Sequence, residues 1–511
     1  MDTSDHRDQT VVIGGGPAGL TAAYELSKSG RPVVILEQDP TYVGGLSRTV
    51  EFKGFRFDIG GHRFFSKNQE IEGLWDELLG RPLEVRDRLS RIYFRGRFFK
   101  YPLEVSDTFK RLGPREVIAC VASYGAAKLR RTPKPETFEE FMVAMFGWRL
   151  FRMFFKTYTE KVWGVGCDEL SADWGAQRIR GLNLASMIRG ALGIRQRNGQ
   201  RVKALVDRFR YPTLGPGEVW QAAAARVRRL GGNIHLGKRV IRINRSGSRI
   251  TSLVTSDAGR EETWEGKHFL STMPMSELVS AFSPSSPAAV KHAAGSLKYR
   301  DFVVVVMILD KPTVFPDQWI YVHEPKVRVA RIQNFKNWSP AMVPDPHYTV
   351  LGFEYFCTEG DGLWDAPEDQ LKAMGRAELG ALGLANPSEV IDSTVVRLKR
   401  AYPVYDRGYR EHVSAIREFL DREATNLQLI GRNGMHKYNN QDHAMMTGLM
   451  AARNIMGESY DLWRVNSDAE YLEEEQVEER QSPPVPVLGL VRKPEAAARA
   501  VEEDLAGNLA D

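Results

Sequence analysis

Thr10-Val11-Val12-Ile13-Gly14-Gly15-Gly16-Pro17-Ala18-Gly19-Leu20 reads as a buried strand that runs into a glycine turn and then a helix. In the spacing Gly14-x-Gly16-x-x-Gly19, Gly14 makes the tight turn, Gly16 lets backbone approach a pyrophosphate, and Gly19 lets the helix pack closely on the strand. The helix N-terminus then receives the anion. Val33-Val34-Ile35-Leu36 follows as a second strand and ends in Glu37, eighteen residues after Gly19, where an acid meets a ribose hydroxyl. The pattern is that of a βαβ unit holding a dinucleotide; a glycine turn in an unliganded sheet is the weaker alternative.

Outward from this unit, Tyr42-Val43-Gly44-Gly45-Leu46-Ser47-Arg48-Thr49 brings backbone close to something. Gly44 and Gly45 suit approach to a cofactor phosphate or ring, with Arg48 as counter-charge, although a surface turn uses the same residue types. An alternating strand, Gly54 to Asp58, then ends in a second glycine pair, Gly60-Gly61, with His62 beside it.

The 511 residues exceed what one core supports, so two or three subdomains around a shared cleft are expected. A net charge of +5, from 70 basic and 65 acidic residues, fits anionic ligands and does not suggest a nucleic-acid protein. Cys120, Cys167 and Cys357 are too scattered for a disulfide framework or a cysteine zinc site, and no metal site is expected. Met1 to Gln9 lacks the apolar run of a signal peptide, and no segment is apolar for long enough to span a membrane. A cytoplasmic chain is expected. Arg91 to Lys100 mixes basic and aromatic residues; it reads as a hairpin turning at Arg95-Gly96 rather than as a lipid or nucleic-acid surface.

The chain divides into a dinucleotide-binding first part (1–67), a helical subdomain (68–205), a second part (206–290), an antiparallel-sheet substrate domain (291–420), a last dinucleotide-binding part (421–465) and an acidic, Pro-rich tail (466–511). Helices are expected over Gln69–Leu79, Glu116–Leu129, Thr137–Tyr158, Glu218–Leu230, Pro367–Leu382 and Asp442–Met456. Thr137 with Glu140 forms a capping box, and the Met and Phe content of 141–155 reads as core packing. Strands are expected at Val240–Ile243, Ile250–Thr255, His268–Thr272, Phe302–Leu309, Trp319–Val322, Tyr348–Phe353 and Leu427–Arg432.

Taken together, Gly14-x-Gly16-x-x-Gly19, Glu37, Gly44-Gly45 and Arg48 resemble the start of FAD enzymes of the amine oxidase, phytoene desaturase and protoporphyrinogen oxidase superfamily. Three further stretches look more like UDP-galactopyranose mutase: Tyr158-Thr159-Glu160-Lys161-Val162-Trp163-Gly164 with Glu169-Leu170-Ser171, then Tyr299-Arg300, and Gly431-Arg432 followed six residues later by Tyr438. The resemblance implies an α/β fold, with a discontinuous Rossmann-type FAD-binding domain, a helical subdomain and an antiparallel-sheet substrate domain. It also implies that Gly61, His62, Gly431, Arg432, Asn440, Gln441 and Asp442 join the glycine motifs around FAD. Arg300 and Tyr438 then bind a nucleotide diphosphate, with Trp163 and with Arg178 or Arg180 from a mobile loop. Convergent guanidinium and hydroxyl donors suit a diphosphate leaving group, while each arginine alone also fits a surface ion pair. His62, set against the flavin in the mutases, either tunes it and moves a proton or only packs. Asn440 and Asp442 open a helix whose N-terminal dipole would stabilise an anionic reduced flavin; both also fit as ordinary N-caps.

For chemistry, the mutase resemblance implies attack by N5 of reduced FAD on the anomeric carbon of a nucleotide sugar, loss of the diphosphate, and reclosure through another hydroxyl with no net redox change. NAD(P)H or another reductant would first prime the flavin. The rival is an FAD oxidoreductase that removes a hydride from a C–H bond of an amine, a polyene precursor or a sugar alcohol; Trp163, Trp319 and Tyr321 then serve as an aromatic cage or as base-stacking groups. A non-catalytic FAD-binding scaffold is a third reading, disfavoured by the number of polar groups expected in the cleft. The partner expected is a small molecule, a nucleotide sugar ahead of the others.

Overall fold

The computed structural model describes residues 8–130, 135–172, 175 and 208–466. Arg178 and Arg180, and the tail beyond Asn466, lie outside these residues.

Thr10–Ile13 is the central strand of a five-stranded parallel sheet, in the order Leu427–Leu429, His268–Ser271, Thr10–Ile13, Val33–Leu36, Asn233–His235. Val12 lies opposite Leu270 on one side and Ile35 on the other. Thr10–Ile13 and Val33–Leu36 are buried throughout, because helices cover both faces of the sheet. The sheet collects strands from three distant parts of the chain, so the Rossmann-type domain is discontinuous. The helix Pro17–Lys28 packs against Gln441–Ile455 so closely that a Cβ on Gly448 would stand 2.2 Å from the Ala18 carbonyl oxygen.

A second sheet has seven strands, with Tyr299–Leu309 flanked by Val390–Pro403 and Thr349–Cys357. It continues through Arg331–Asn334 and Trp319–Val322 to the hairpin Ser90–Phe94 and Arg97–Lys100. Antiparallel pairing is broken at one joint, where Trp319 runs parallel to Ser90. The hairpin turns at Arg95 and Gly96, both at positive φ. The hairpin is thus as expected, and Glu84–Asp87 is a further strand within the stretch 68–205 read as mostly helical. A smaller sheet of Arg260–Glu265, Arg249–Asp257, Arg239–Ser246 and Phe282–Ser283 stands beside the first.

The helices Pro114–Leu129, Phe138–Phe146 and Thr157–Trp163 enclose a core that includes Met142, Phe151 and Phe154. Thr137 caps Phe138–Phe146 by a capping box with Glu140. The single helix expected over 137–158 is divided. Gly147 breaks it at φ 78°, where a Cβ would lie 2.7 Å from the Tyr124 amide nitrogen, and a π-helical turn, Arg152–Lys156, precedes Thr157–Trp163.

Candidate active site

The dinucleotide end is assembled by close contacts that only glycine permits. A Cβ on Gly14, at φ 100°, would stand 2.0 Å from Thr272 Oγ1, and one on Gly19 the same distance from the Gly14 carbonyl oxygen. Gly16 differs: a Cβ there would meet only the Gly45 Cα, at 4.0 Å, and would point into an open cradle at the start of Pro17–Lys28. Gly44 donates its N–H to the Gly15 carbonyl at 2.8 Å, which holds the second glycine pair over the first. Glu37 is buried and accepts from Gly15 N–H at 2.7 Å and from Asp39 N–H at 2.8 Å; burial pushes its carboxyl above the ordinary range. Arg48 pairs with Asp39 at 3.2 Å and lies over the Tyr42 ring, while its buried Nε has no hydrogen-bond partner among the described residues. The donors, the open cradle and the orphaned Nε fit the adenosine diphosphate half of FAD.

The other half of the cradle is the N-terminus of Gln441–Ile455. Asn440 stands exposed at its N-cap, with Gln441, Asp442 and His443 buried behind it. Asp442 accepts from Ser66 Oγ at 3.0 Å and Gln441 donates to the Arg63 carbonyl at 3.5 Å, so the Gly60–Ser66 turn is tied to this helix start. Gln441 Oε1 is buried with no partner among the described residues. Gly431 holds φ 75° and donates to Thr447 Oγ1 at 2.9 Å, while a Cβ on Gly434 would come 2.4 Å from the Ser271 carbonyl. The glycine turn, the helix start and its dipole suit the isoalloxazine half.

His62 faces this space from the Gly60-Gly61 turn, with Nδ1 3.1 Å from the Gly60 carbonyl. A carbonyl only accepts, so Nδ1 carries the proton and Nε2 is left as acceptor. Burial, aided by the charges of Arg432 and Arg331, lowers the imidazolium to about 3, and the ring is neutral at ordinary pH. Beyond it Arg331 and Glu354 face each other in register on adjacent strands and form an ion pair. Gln333 Nε2 holds the other oxygen of Glu354 at 2.8 Å, and Arg331 also reaches Tyr402 Oη at 3.2 Å. Burial opposes the Arg331 charge, but Glu354 more than offsets it and raises the guanidinium further. Arg432 lies 5.1 Å over the Tyr402 ring and 4.9 Å over Tyr438, and those two rings stack at 5.8 Å. Tyr158 belongs to the same group, within electrostatic reach of Arg331, Glu354 and Tyr438, and burial pushes its hydroxyl well above the usual range.

Of the residues expected here, His62, Arg432 and Tyr438 come together. Arg300 is placed as a brace. Its Nε donates to the Val162 carbonyl at 3.2 Å, Nη2 to the Phe356 carbonyl at 2.8 Å and Nη1 to Thr358 Oγ1. Trp163 is 2 % exposed and supports the Tyr438 ring edge-on at 6.0 Å. Trp319 is buried and stacks on Trp338 at 5.3 Å. The residues that sequence reading did not single out are Arg331, Glu354 and Tyr402. Glu354 had a signal: it is the one charged residue of the otherwise uncharged strand Thr349–Cys357, all of it buried. Lys161 donates to the carbonyls of Val322, Glu324 and Val329, and so fastens Thr157–Trp163 to the sheet. No group of three or more metal-ligating side chains occurs among the described residues.

The model of the family described as flavin containing amine oxidoreductase matches residues 17–456. A putative flavin-containing monoamine oxidase AofH of Mycobacterium tuberculosis is 28 % identical over 297 residues, 56 % of this chain and 61 % of that protein. A probable UDP-galactopyranose mutase of Klebsiella pneumoniae is 27 % identical over 171 residues, 32 % of this chain and 42 % of that protein. The chain thus spans less than two thirds of these relatives. Among solved structures, reduced UDP-galactopyranose mutase superposes with a TM-score of 0.75 at 24 % identity, covering 90 % of this chain and 98 % of that one. A putative protoporphyrinogen oxidase from Exiguobacterium sp. 255-15 gives 0.65 at 16 %, over 89 % and 99 %. At these identities the structural likeness is one of fold.

Proposed function

The chain belongs to the flavin containing amine oxidoreductase family, and from that premise we propose that this FAD-dependent enzyme acts on a nucleotide-diphosphate sugar. The observation that carries the proposal is the wall opposite His62: two guanidinium groups, Arg331 and Arg432, converge with the phenols of Tyr158, Tyr402 and Tyr438. Planar cations and hydroxyl groups in fixed geometry match diphosphate oxygens, with Arg331 held by Glu354 and Arg432 held by its Nε bond to the Asn439 carbonyl at 2.9 Å. The likeness to a mutase fold supports the same reading.

Bound FAD would supply the reactive ring, electron-rich and nucleophilic towards an anomeric carbon when reduced, electron-poor and able to accept a hydride when oxidised. The protein's part is positioning and charge. Glu354 keeps Arg331 aimed, and Arg432 lies against the stacked rings of Tyr402 and Tyr438, so the cations need not reorganise when the diphosphate arrives or departs. His62 Nε2, neutral and aimed from the glycine turn, can accept a hydrogen bond from a sugar or flavin N–H or O–H.

A second reading, hydride removal from an amine, polyene precursor or sugar alcohol, is supported by the stacked pair Tyr402 and Tyr438, an aromatic wall able to hold an apolar or cationic substrate. Titration of the yellow protein with UDP and UDP-sugars, oxidised and then dithionite-reduced, separates the two. The expected result is a flavin spectral shift on UDP binding that Arg432→Gln weakens at least about tenfold, the loss of one charge-assisted contact. Absence of UDP binding together with bleaching of oxidised flavin by an amine or alcohol would replace the first reading by the second.

A further inference from the structure

The helix Pro114–Leu129 is apolar where it meets solvent. From Val117 to Ala127, eleven residues, it carries no charge. Cys120 and Tyr124 face the core, whereas Ile118, Ala122, Gly125 and Leu129, on the opposite stripe at i, i+4, i+7 and i+11, are exposed. Ile118 is 69 % exposed and Leu129 88 %, and with Val121 and Trp148 they make four of the ten large apolar side chains exposed among the described residues. A helix apolar all round is normally covered.

Charge identifies the cover. Between Arg91 and Arg130 stand nine basic and three acidic residues, a net +6 against +5 for the whole chain. The acids are already paired: Glu104 with Lys100, Asp107 with Arg111, Glu116 with Arg149. Exposed Lys110 and Arg115 flank one end of the uncharged stripe, and Lys128 and Arg130 the other. Behind the helix a cavity of about 940 Å³ is lined by Arg95, Arg149, Arg152 and Lys326 against the two acids Glu116 and Glu324, beside Trp148. A second copy of the face would bring the same positive charge against it, and a nucleic acid would leave the apolar stripe exposed. The helix is about 24 Å long at 1.5 Å per residue, and among the described residues no helix is long and apolar enough to cross a bilayer. The exposed apolar stripe, with cations at both ends, is oriented to meet an interface side-on while Cys120 stays on the core.

We propose that the helix Pro114–Leu129 docks on an anionic lipid surface, with Ile118, Val121 and Leu129 in the headgroup–acyl boundary and the flanking cations on lipid phosphates.

Flotation of the full-length, flavin-loaded protein with phosphatidylcholine vesicles, with and without about 30 % phosphatidylglycerol, tests this. Binding is expected to the anionic vesicles only, and to be lost as salt rises from about 0.1 to about 1 M, where screening shortens to about 3 Å. The double substitution Ile118→Asp/Leu129→Asp, at exposed positions, lowers partitioning at least about tenfold with unchanged flavin content and melting temperature. Lys128→Glu/Arg130→Glu does the same through charge alone. Failure of the full chain to float with anionic vesicles overturns the proposal. Flotation undiminished in both variants, or a dimer that the aspartates convert to monomer without any vesicle binding, overturns it too.

Discussion

Arg331→Met removes the counter-charge of a carboxylate that has no access to water. Glu354 is wholly buried, and Arg331 sits directly across the strand pair from it. Deleting one partner of a buried ion pair costs about 3–5 kcal/mol, because the remaining charge loses its compensation. Gln333 still donates to Glu354 at 2.8 Å, so the lower end, about 3 kcal/mol, is expected. Arg331→Met/Glu354→Leu removes both charges and should recover to within about 1 kcal/mol of wild type. The double variant nonetheless loses the Arg331 contact to Tyr402, so it should fold, hold flavin and still bind UDP weakly. Melting midpoints of the four cycle members, read by flavin fluorescence at pH 8, decide the matter. A single variant as stable as wild type at pH 8, or a double variant no more stable than the single, would refute the account of Glu354 as a dry, paired carboxylate.

Gly16→Ala should fold normally, since its Cβ meets only Gly45 Cα at 4.0 Å, yet lose FAD at least about tenfold, because the methyl occupies the pyrophosphate cradle; the ratio of visible to ultraviolet absorbance of the purified protein reads this out. Asp58, buried and accepting from Thr49 at 2.8 Å and from Tyr211, has its carboxyl raised by burial to about 7. Its stabilising contribution is complete below the unfolded value near 4 and disappears as pH rises through 7. Asp58→Asn should therefore gain on wild type between pH 5 and 8, by no more than about 1.4 kcal/mol per pH unit, in thermal melts. His62 shifts the other way: with the folded imidazolium lowered to about 3, the unfolded chain binds the extra proton, so stability falls as pH drops below 6.5. His62→Asn should lose less melting temperature than wild type from pH 6.5 to 4.5, and any acid limb of activity between pH 5 and 8 should keep its midpoint in the variant.

The cofactor half was legible because its signals are local. Gly14, Gly16, Gly19 and Glu37 act within one βαβ unit, and backbone proximity dictates each of them. The wall of Arg331, Glu354 and Tyr402 was legible only in part, because it is made by pairing across strands. Arg331 meets Glu354 through register, and Tyr402 reaches Arg331 from a strand on the far side of Tyr299–Leu309. That strand, Val390–Pro403, is hidden in sequence by the charges of Arg397, Lys399 and Arg400. Asp301 explains one of the breaks: its carboxylate takes the Arg400 N–H at 2.7 Å where Arg400 leaves the ladder at φ 52°. The hairpin Ser90–Lys100 turned at the expected residues, but its membership of the seven-stranded sheet depends on a parallel contact with Trp319 that no local pattern carries.

The same limit explains Arg300. Residue type and spacing make it look like a ligand clamp, and only its surroundings make it a brace. A Cβ on Gly164, at φ 68°, would lie 2.3 Å from Arg300 Nη1, so the chain needs glycine there both for the turn and to admit the guanidinium. Once seated, Arg300 ties the end of Thr157–Trp163 to Phe356 and Thr358, and Lys161 ties the same helix to Val322, Glu324 and Val329. Two cations thus hold the helix that presents Tyr158 and supports Tyr438 through Trp163. Arginine in a binding motif therefore has two ways to serve an anion: by touching it, the part proposed for Arg331 and Arg432, or by fixing the aromatic wall that the touching residues lean on. Substitution separates these roles. Arg432→Gln should weaken UDP binding by more than its effect on melting accounts for, Arg331→Met should lower both because Glu354 is left unpaired, and Arg300→Ala should lower the melting temperature first and ligand affinity as a consequence.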